Sequence, residues 1–221
     1  MEVCPLCDTD AGLVAVEGPD KRSYHRCPGC RLIFSGREYL PSPEEERERY
    51  LEHNNGIEYP GYVNFLNQAI EPALPLLSED MTGLDYGCGP VPTLSLLLKE
   101  KGISCLDYDP LFFPELPEGP FDFIFATECF EHLFNPAREI ESIIRLLKPI
   151  GLLIVMTHLW EESVDFASWY YPKDNTHVTF YHAETFRYIE ERFGFRQLPA
   201  ASERVIILKL SQQSAMKHVT E

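Results

Sequence analysis

The amino-acid sequence predicts an α/β protein in which a small N-terminal zinc ribbon precedes a Rossmann-like sheet. Two patterns lead to this prediction: two matched cysteine pairs near the start of the chain, and a glycine-rich turn between a short strand and a helix. A chain of 221 residues is long enough for one ordinary domain with a small appendage. We expect a ribbon over residues 1–36, a helical linker or lid over 37–80, and the Rossmann-like domain over 81–221.

The composition disfavours several classes of function. The sequence has 19 Lys and Arg against 35 Asp and Glu, a formal net charge of −16, and this surplus of acid disfavours binding to nucleic acid or to an anionic membrane face. Apolar residues make up 44% of the chain, enough for a core. The longest apolar run, residues 151–156, is far shorter than a bilayer span, and no secretory signal is visible. We therefore expect a cytoplasmic protein.

Two C-x2-C pairs stand in the first thirty residues, Cys4 with Cys7 and Cys27 with Cys30. A C-x2-C turn directs two thiolates at one point, so two such turns supply the tetrahedral set that Zn²⁺ prefers. We predict a structural zinc ion on these four cysteines, and we expect it to stabilise a segment that has little apolar surface of its own. The alternative is four free thiols.

Two helices are expected between the ribbon and the sheet. Ser42, Pro43 and Glu45 form a capping-box signature for the first of them. The second is expected from Tyr62 to about Leu77, because its apolar residues keep helical spacing. Two prolines in this range should bend or shorten it.

A strand, a glycine-rich turn, a helix and a second strand follow one another from Gly83. The turn is at residues 87–89, the helix is expected over 93–101, and the second strand ends at Asp107. This layout binds an adenosine-containing cofactor at the C-terminal edge of a parallel sheet, where the carboxylate that ends the second strand can bind both ribose hydroxyls.

Two cofactors compete for this turn. A dinucleotide favours a third glycine, but here Gly89 is followed by Pro90, Val91 and Pro92, and the two prolines also remove amide donors. Asp85 stands directly before the turn. Its carboxylate suits a ligand with an ammonium and a sulfonium better than one with a pyrophosphate, which favours S-adenosylmethionine over NAD.

Four motifs in order resemble those of class I S-adenosylmethionine-dependent methyltransferases. They are the first motif at 84–89, the fourth strand with an E-x-x-E-H-L loop at 121–133, an L-K-P-G-G-like turn at 146–153, and a T-H-V-x-F-Y segment of bacterial members at 175–181. Several bacterial members also carry an N-terminal C-x2-C pair. The resemblance covers residues 40–210 and implies methylation of a small-molecule acceptor at an undetermined O, N or C atom.

The resemblance also implies roles for particular residues. It implies that Asp85, Gly87 and Gly89 hold the methionine part of the cofactor, that Asp107 binds the ribose, and that Thr127 and Glu128 border the pocket. We also expect cofactor contacts from Cys88, inside the turn, and from Tyr108, after the ribose acid. In E-x-x-E-H enzymes that methylate quinone phenols, the acidic residues and the histidine are associated with a divalent cation. Glu128, Glu131 and His132 match that pattern. The alternative is that Glu131 and His132 orient the loop.

The sequence departs from the family pattern at one edge of the sheet. The family inserts a helix and a third strand after the ribose acid, but only residues 108–120, which are rich in proline, precede the fourth strand here. We therefore predict a sheet that lacks the third strand. Tyr108, Leu111, Phe112 or Phe113 would meet the adenine ring or plug the exposed edge. At the other end of the sheet, strands near 195–198 and 205–210 are expected to form an antiparallel pair.

Residues 160–181 are rich in aromatic side chains and follow the C-terminal end of a strand. We expect them to form the lid and wall of the substrate site, with a packed aromatic cluster as the alternative. Methyl transfer is an in-line displacement in which alignment supplies most of the rate, and a base is needed only for a protonated acceptor. His177, beside Tyr181, is the first candidate for this chemistry, and His132 is the second.

Three other functions stay open at this stage. The first is an NAD-dependent enzyme, which the missing third glycine disfavours. The second is a non-catalytic protein whose ribbon docks a partner. The third is a methyltransferase whose ribbon recruits a macromolecule, with RNA disfavoured by the net charge.

Overall fold

A six-stranded mixed sheet forms the centre of the fold in the computed structural model, which describes residues 2–52, 55–199 and 202–212. The strands are β1 (Val14–Val16), β2 (Tyr24–Arg26), β3 (Ile33–Ser35), β4 (Thr82–Tyr86), β5 (Ser104–Tyr108), β6 (Phe121–Thr127), β7 (Leu147–Met156), β8 (Thr179–Phe180), β9 (Phe195–Leu198) and β10 (Val205–Leu210). The helices are α1 (Pro43–Leu51), α2 (Pro60–Ala73), α3 (Thr93–Glu100), α4 (Pro136–Leu146) and α5 (Ala183–Phe193).

The large sheet has the strand order β5-β4-β6-β7-β10-β9. Strands β5, β4, β6 and β7 are parallel, whereas β10 runs antiparallel to both β7 and β9. Because the chain passes from β4 to β5 on one side and then to β6 on the other, the topological switch point lies at the carboxyl ends of β4 and β6. Ligands bind at this point in open α/β sheets. The predicted fold class and the closing antiparallel pair are both confirmed.

The predicted loss of the third strand is also confirmed, because β5 is an edge strand of the large sheet. Among residues 109–120, backbone pairing is limited to an isolated bridge between Asp109 and Phe113. Four prolines in this segment remove amide donors that a further strand would need.

Helices cover both faces of the sheet, as the alternation of side chains along its strands requires. Phe123 and Phe125 of β6 pack on the face that carries α2 and α3. Ile124, between them, packs on the opposite face, where α4 and α5 lie. The helix predicted to run to Leu77 ends at Ala73, and a tighter turn follows it.

The cysteine-rich segment shares a sheet and a core with the Rossmann-like domain. Strands β1, β2 and β3 form an antiparallel sheet with β8, and Ile33 of β3 lies opposite Phe180 of β8. Leu6, Leu32 and Phe34 belong to the same apolar core as α4 and α5. In the parts of the chain that the structure describes, no helix has the length and apolar character needed to cross a membrane.

Candidate cofactor and acceptor site

A cavity with a volume of about 1140 Å³ lies at the carboxyl ends of β4 and β6. Pockets for one small molecule measure about 300–1000 Å³, so this cavity has room for a cofactor and a second ligand beside it. The residues singled out by sequence that line it are Asp85, Gly87, Cys88, Gly89, Tyr108, Thr127, Glu128, His132 and His177. The residues singled out by sequence that do not line it include Asp107, Phe112, Phe113, Glu131 and Tyr181, whereas Leu111 does.

The glycine-rich turn forms the floor of the cavity. Gly87 has a φ of 82° and Gly89 a φ of 68°, a region that favours glycine. A Cβ atom at Gly87 would lie 2.8 Å from Sγ of Cys129. The amides of Gly87 and Cys88 donate to the Tyr108 carbonyl at 2.8 and 3.1 Å, so the turn is fixed to the end of β5.

The Asp85 carboxylate is buried beside this turn, with only 2% of the residue exposed. Its Oδ1 atom has no hydrogen-bond partner. Burial raises the pKa of Asp85 well above its ordinary value, and the nearby Asp107 and Asp109 carboxylates raise it further. Among the residues described, no Lys, Arg or His side chain forms an ion pair with Asp85. The described part of the protein therefore places no positive charge against Asp85, and a cationic ligand could supply one.

Asp109, and not Asp107, is the carboxylate that faces the cavity from the end of β5. Asp109 Oδ2 accepts from the Gly89 amide at 3.0 Å, and Oδ1 accepts from the amide of Leu111 at 2.9 Å. Asp107 pairs in register with Asp85 inside the sheet, one residue before β5 ends. Asp107, the acid predicted to bind the ribose, thus lies inside the strand, whereas Asp109, just beyond the strand's last residue, lines the cavity.

Glu128 follows β6 directly and has a φ of 48°, a strained conformation for a residue other than glycine. Its Oε1 atom lies 3.2 Å from Arg204 Nη2, and Tyr171 donates to Oε2 at 3.5 Å. Burial raises the pKa of Glu128 to about 8, and Glu131 raises it while Arg204 opposes the shift.

His132 and His177 are brought together although 44 residues separate them in sequence. Their ring centroids are 4.8 Å apart. Nδ1 of His132 lies 3.0 Å from the Thr176 carbonyl, and Nδ1 of His177 lies 2.8 Å from the Tyr171 carbonyl. A carbonyl only accepts, so each Nδ1 carries a proton. Burial, with His132 beside it, lowers the pKa of His177 to about 4, so this ring is neutral near pH 7.

Glu131 completes a compact group with the two histidines. Its side chain is fully buried, Oε2 accepts from Thr157 Oγ1 at 2.8 Å, and Oε1 has no partner. One ligand atom from each of Glu131, His132 and His177 lies within 4.8 Å of the others, a spacing that could hold a metal ion. Glu128, which the resemblance had placed in such a set, pairs with Arg204 instead.

Tyr181 lies in the core rather than in the site. It is fully buried, and its hydroxyl donates to the Phe130 carbonyl at 3.1 Å. Its ring packs against Phe130 and Phe186, with centroids 5.4 and 5.5 Å away. Tyr181 therefore packs in the core and does not line the cavity, contrary to the catalytic role predicted for it.

Helix α1 forms the roof of the cavity through Glu46, Arg49 and Tyr50. The Tyr50 ring lies 5.1 Å from the His132 ring, and Arg49 forms a 2.8 Å ion pair with Asp174. The predicted capping box is confirmed, because the Ser42 amide donates to Glu45 while the Ser42 hydroxyl accepts from the Glu45 amide.

The aromatic segment 160–181 supplies both a wall and a packed cluster. Tyr170 and Tyr171 line the cavity. Phe166 and Phe180 pack instead against Tyr24 of β2, with centroids 5.2 and 6.0 Å away. The packed cluster is therefore present, and two aromatic residues of the segment line the cavity.

The four N-terminal cysteines converge on one point. The Sγ atoms of Cys4 and Cys30 are 3.5 Å apart, those of Cys7 and Cys27 are 3.3 Å apart, and all four lie within 4.8 Å of one another. The two turns match. The amide four residues after Cys4 donates to the Cys4 carbonyl at 3.0 Å, and the equivalent bond to the Cys27 carbonyl is also 3.0 Å. This donor set fits a tetrahedral zinc ion.

Comparisons with known proteins agree with this architecture. Residues 58–199 match the family model of the methyltransferase domain. Ubiquinone biosynthesis O-methyltransferase of Colwellia psychrerythraea is 31% identical over 91 residues, which cover 40% of this chain and 37% of that protein. The protein of the same name from Dechloromonas aromatica is 36% identical over 92 residues, 37% of this chain and 39% of that protein. The chain thus spans less than two fifths of the length of these relatives.

Two solved structures share the fold at low sequence identity. The 1,6-didemethyltoxoflavin-N1-methyltransferase of Burkholderia thailandensis, with 1,6-didemethyltoxoflavin and S-adenosylhomocysteine bound, has a TM-score of 0.51 and 11% identity. The match covers 89% of this chain and 99% of that one. The magnesium protoporphyrin IX methyltransferase of Synechocystis, with S-adenosylmethionine bound, has a TM-score of 0.51 and 15% identity, with 79% and 95% covered. With a family match over more than half of its length, the chain belongs to the S-adenosylmethionine-dependent methyltransferases.

Proposed function

We propose that the protein transfers a methyl group from S-adenosylmethionine to a small-molecule acceptor. The observation that carries this proposal is the group of three carboxylates, Asp85, Asp107 and Asp109, beside the glycine-rich turn. The buried Asp85 side chain lines the cavity, and its Oδ1 atom has no hydrogen-bond partner. A ligand with an ammonium and a sulfonium group supplies the positive charge that these side chains lack.

The same group of carboxylates argues against NAD. A pyrophosphate would bring two negative charges to a turn bordered by three acids, and it would need amide donors at the start of the next helix. Pro90 and Pro92 have no amide hydrogen, and Pro92 is the N-cap of α3. The turn therefore suits a cationic ligand.

In the proposed complex, Asp85 and the 87–89 turn bind the methionine part and Asp109 binds the ribose hydroxyls. When bound, S-adenosylmethionine supplies an electrophilic methyl group on a sulfonium. The protein orients the acceptor so that its lone pair points along the axis of the carbon–sulfur bond. The sulfur keeps the bonding electrons, and the products are S-adenosylhomocysteine and the methylated acceptor.

The two histidines suit an acceptor that must lose a proton, such as a phenol. Nε2 of His177 keeps its lone pair near pH 7, because the pKa of this ring is held at about 4. A hydroxyl can donate to that nitrogen as its oxygen attacks the methyl group. Tyr50 and Tyr171 line the part of the cavity around His132 and His177, which we call the acceptor half. This aromatic lining supports an aromatic acceptor. The naming of the curated relatives as O-methyltransferases supports the same acceptor atom.

We also propose that the four N-terminal cysteines hold a structural zinc ion. Four thiolates fill the tetrahedral shell and leave no open position for a substrate. The convergence of the four Sγ atoms and the matched geometry of the two turns support this proposal. The ion would stabilise the segment that β3 ties to β8.

Calorimetric titration with S-adenosylhomocysteine tests the proposed function, with NAD as the comparison. We expect micromolar binding of the first and none of the second. Asp85→Asn should weaken S-adenosylmethionine more than S-adenosylhomocysteine, because only the former carries the sulfonium charge. Asp80→Asn is the matched control, since it lies before β4 at the opposite edge of the sheet. Binding of NAD, or of neither ligand, would contradict the proposal.

A further inference from the structure

Arg22, in the segment between β1 and β2, binds a row of carbonyl groups from the aromatic segment. Its side chain is only 9% exposed. Nη1 donates to the carbonyls of Asn175 at 3.1 Å and His177 at 2.9 Å, and Nη2 donates to those of Asp174 at 3.2 Å and Pro172. A planar guanidinium with five donors can serve four carbonyls at once, which the single ammonium of lysine cannot.

The guanidinium itself is held in place from the ribbon side. Asp20 accepts from Nε of Arg22 at 2.8 Å, and the Tyr24 ring lies 5.3 Å from the guanidinium carbon. Tyr24 belongs to β2, which pairs with β3. The position of Arg22 is thus set by the sheet that contains the cysteine-rich segment.

The backbone that Arg22 binds carries the acceptor half of the cavity. Residues 172–177 contain a short turn and no strand, so sheet hydrogen bonds do not hold them. His177 projects from this stretch, and the Thr176 carbonyl accepts from Nδ1 of His132. Asp174, in the same stretch, pairs with Arg49 of the roof helix. Both histidine rings and the contact to the roof therefore depend on the course of this backbone.

The part of the cavity formed by Asp85 and the 87–89 turn, which we call the cofactor half, is held by other hydrogen bonds. Its turn is bound by the Tyr108 carbonyl and by the Asp109 carboxylate. In the described part of the chain, no hydrogen bond joins residues 2–36 to residues 85–89. A change in the ribbon therefore reaches the acceptor half without passing through the cofactor turn.

We infer that Arg22 is a positioning residue through which the N-terminal ribbon places His132 and His177 in the acceptor half of the site. The inference rests on the proposed function only for the name of that half. Through Arg22, the ribbon then helps to form the part of the cavity that would bind the methyl acceptor. Loss of the Arg22 guanidinium should disturb the acceptor half and spare the cofactor half.

The test compares Arg22→Met, Arg22→Lys and the control Arg31→Met in the zinc-loaded full chain. Arg31 is also a ribbon arginine, but it contacts Glu162 and the Trp160 ring rather than residues 172–177. Hydrogen exchange of residues 171–178 is measured by mass spectrometry, and the Nδ1–H signals of His132 and His177 by NMR. Binding of S-adenosylhomocysteine is measured by calorimetry, and bound zinc by elemental analysis.

We expect both Arg22 variants to retain zinc and bind S-adenosylhomocysteine within about twofold of the unaltered protein. Exchange of residues 171–178 should become at least about tenfold faster, since loss of the bonds from Arg22 to four carbonyl groups lets this backbone open more often, and both Nδ1–H signals should broaden. Arg31→Met should change neither. Unchanged exchange and signals in Arg22→Met, or an equal effect of Arg31→Met, would overturn the inference. So would a loss of cofactor binding confined to the Arg22 variants. If the unaltered protein does not bind S-adenosylhomocysteine, the proposed function fails while the exchange result still decides the role of Arg22.

Discussion

Replacement of Phe180 by alanine should destabilise the ribbon and the Rossmann-like domain together. Phe180 is fully buried, and Trp169, Phe166 and Tyr24 surround it with ring centroids 5.1–6.0 Å away. Removing a buried phenylalanine ring costs about 3–5 kcal/mol. An unfolding entropy of about 2.1 cal/mol/K per residue gives about 0.46 kcal/mol/K for 221 residues. The thermal midpoint should therefore fall by about 7–11 °C.

Two probes show whether both parts unfold as one unit. The only two tryptophans of the sequence, Trp160 and Trp169, lie in the aromatic cluster beside the ribbon, so their fluorescence reports that region. Far-UV circular dichroism reports mainly the helices. In Phe180→Ala, both transitions should shift by the same amount and coincide.

An exposed phenylalanine provides the control. Phe113 is 37% exposed, and its replacement by alanine should change the free energy of unfolding by less than about 1 kcal/mol. The reasoning is refuted if the fluorescence transition of Phe180→Ala moves alone. That outcome would mean that the ribbon and the aromatic cluster unfold as a separate unit.

Two further predictions concern pH and metal. Burial raises the pKa of the Glu46 carboxyl group to about 7 and that of Glu128 to about 8, so the folded state holds protons that the unfolded state has released. His177, whose pKa is lowered to about 4, gives the opposite pH dependence below about pH 6.5. The free energy of unfolding of the ligand-free protein should therefore fall as pH rises from about 6.5 to about 8, a slope measured by urea titration and reduced in Glu46→Gln and Glu128→Gln. Elemental analysis should find one zinc ion per chain, and removal of this ion by a chelator should lower the thermal midpoint of unfolding. The Cys88→Ser variant should keep the metal, whereas Cys27→Ser should lose it. Equal metal content in the two variants would contradict the zinc site.

Short-range patterns in the sequence were sufficient for much of the fold. The capping box at Ser42 and Glu45 depends on residues three apart, and the prolines that prevent a third strand act within their own segment. The C-x2-C pairs also act locally, because each turn fixes its own two thiolates. In each case the residue types limit the backbone directly, so no distant partner had to be known.

The details of the site depend on register and on distant contacts. Asp107 and Asp109 differ only in which of them passes the end of β5, and a shift of two residues along a strand leaves the side chain on the same face. Tyr181 combines an apolar ring with a hydroxyl group. It can be buried in the core because the Phe130 carbonyl accepts a hydrogen bond from that hydroxyl, and the sequence does not reveal this distant partner. Arg22 meets residues 172–177 across about 150 positions of sequence, and local propensity carries no record of such a contact.

The candidate site is built partly from the large sheet and partly from segments that precede or follow its first strands. The cofactor half is built from β4, β5 and the turn between β4 and α3, elements that the large sheet fixes. The acceptor half takes its roof from α1 and the support of its wall from Arg22, both of which precede the sheet in sequence. Fold similarity to other methyltransferases therefore bears on the cofactor half and not on the acceptor. If the proposed function holds, we expect residues 20–50 and 170–177 to influence acceptor choice, so substitutions there should alter which molecule is methylated while cofactor affinity stays constant.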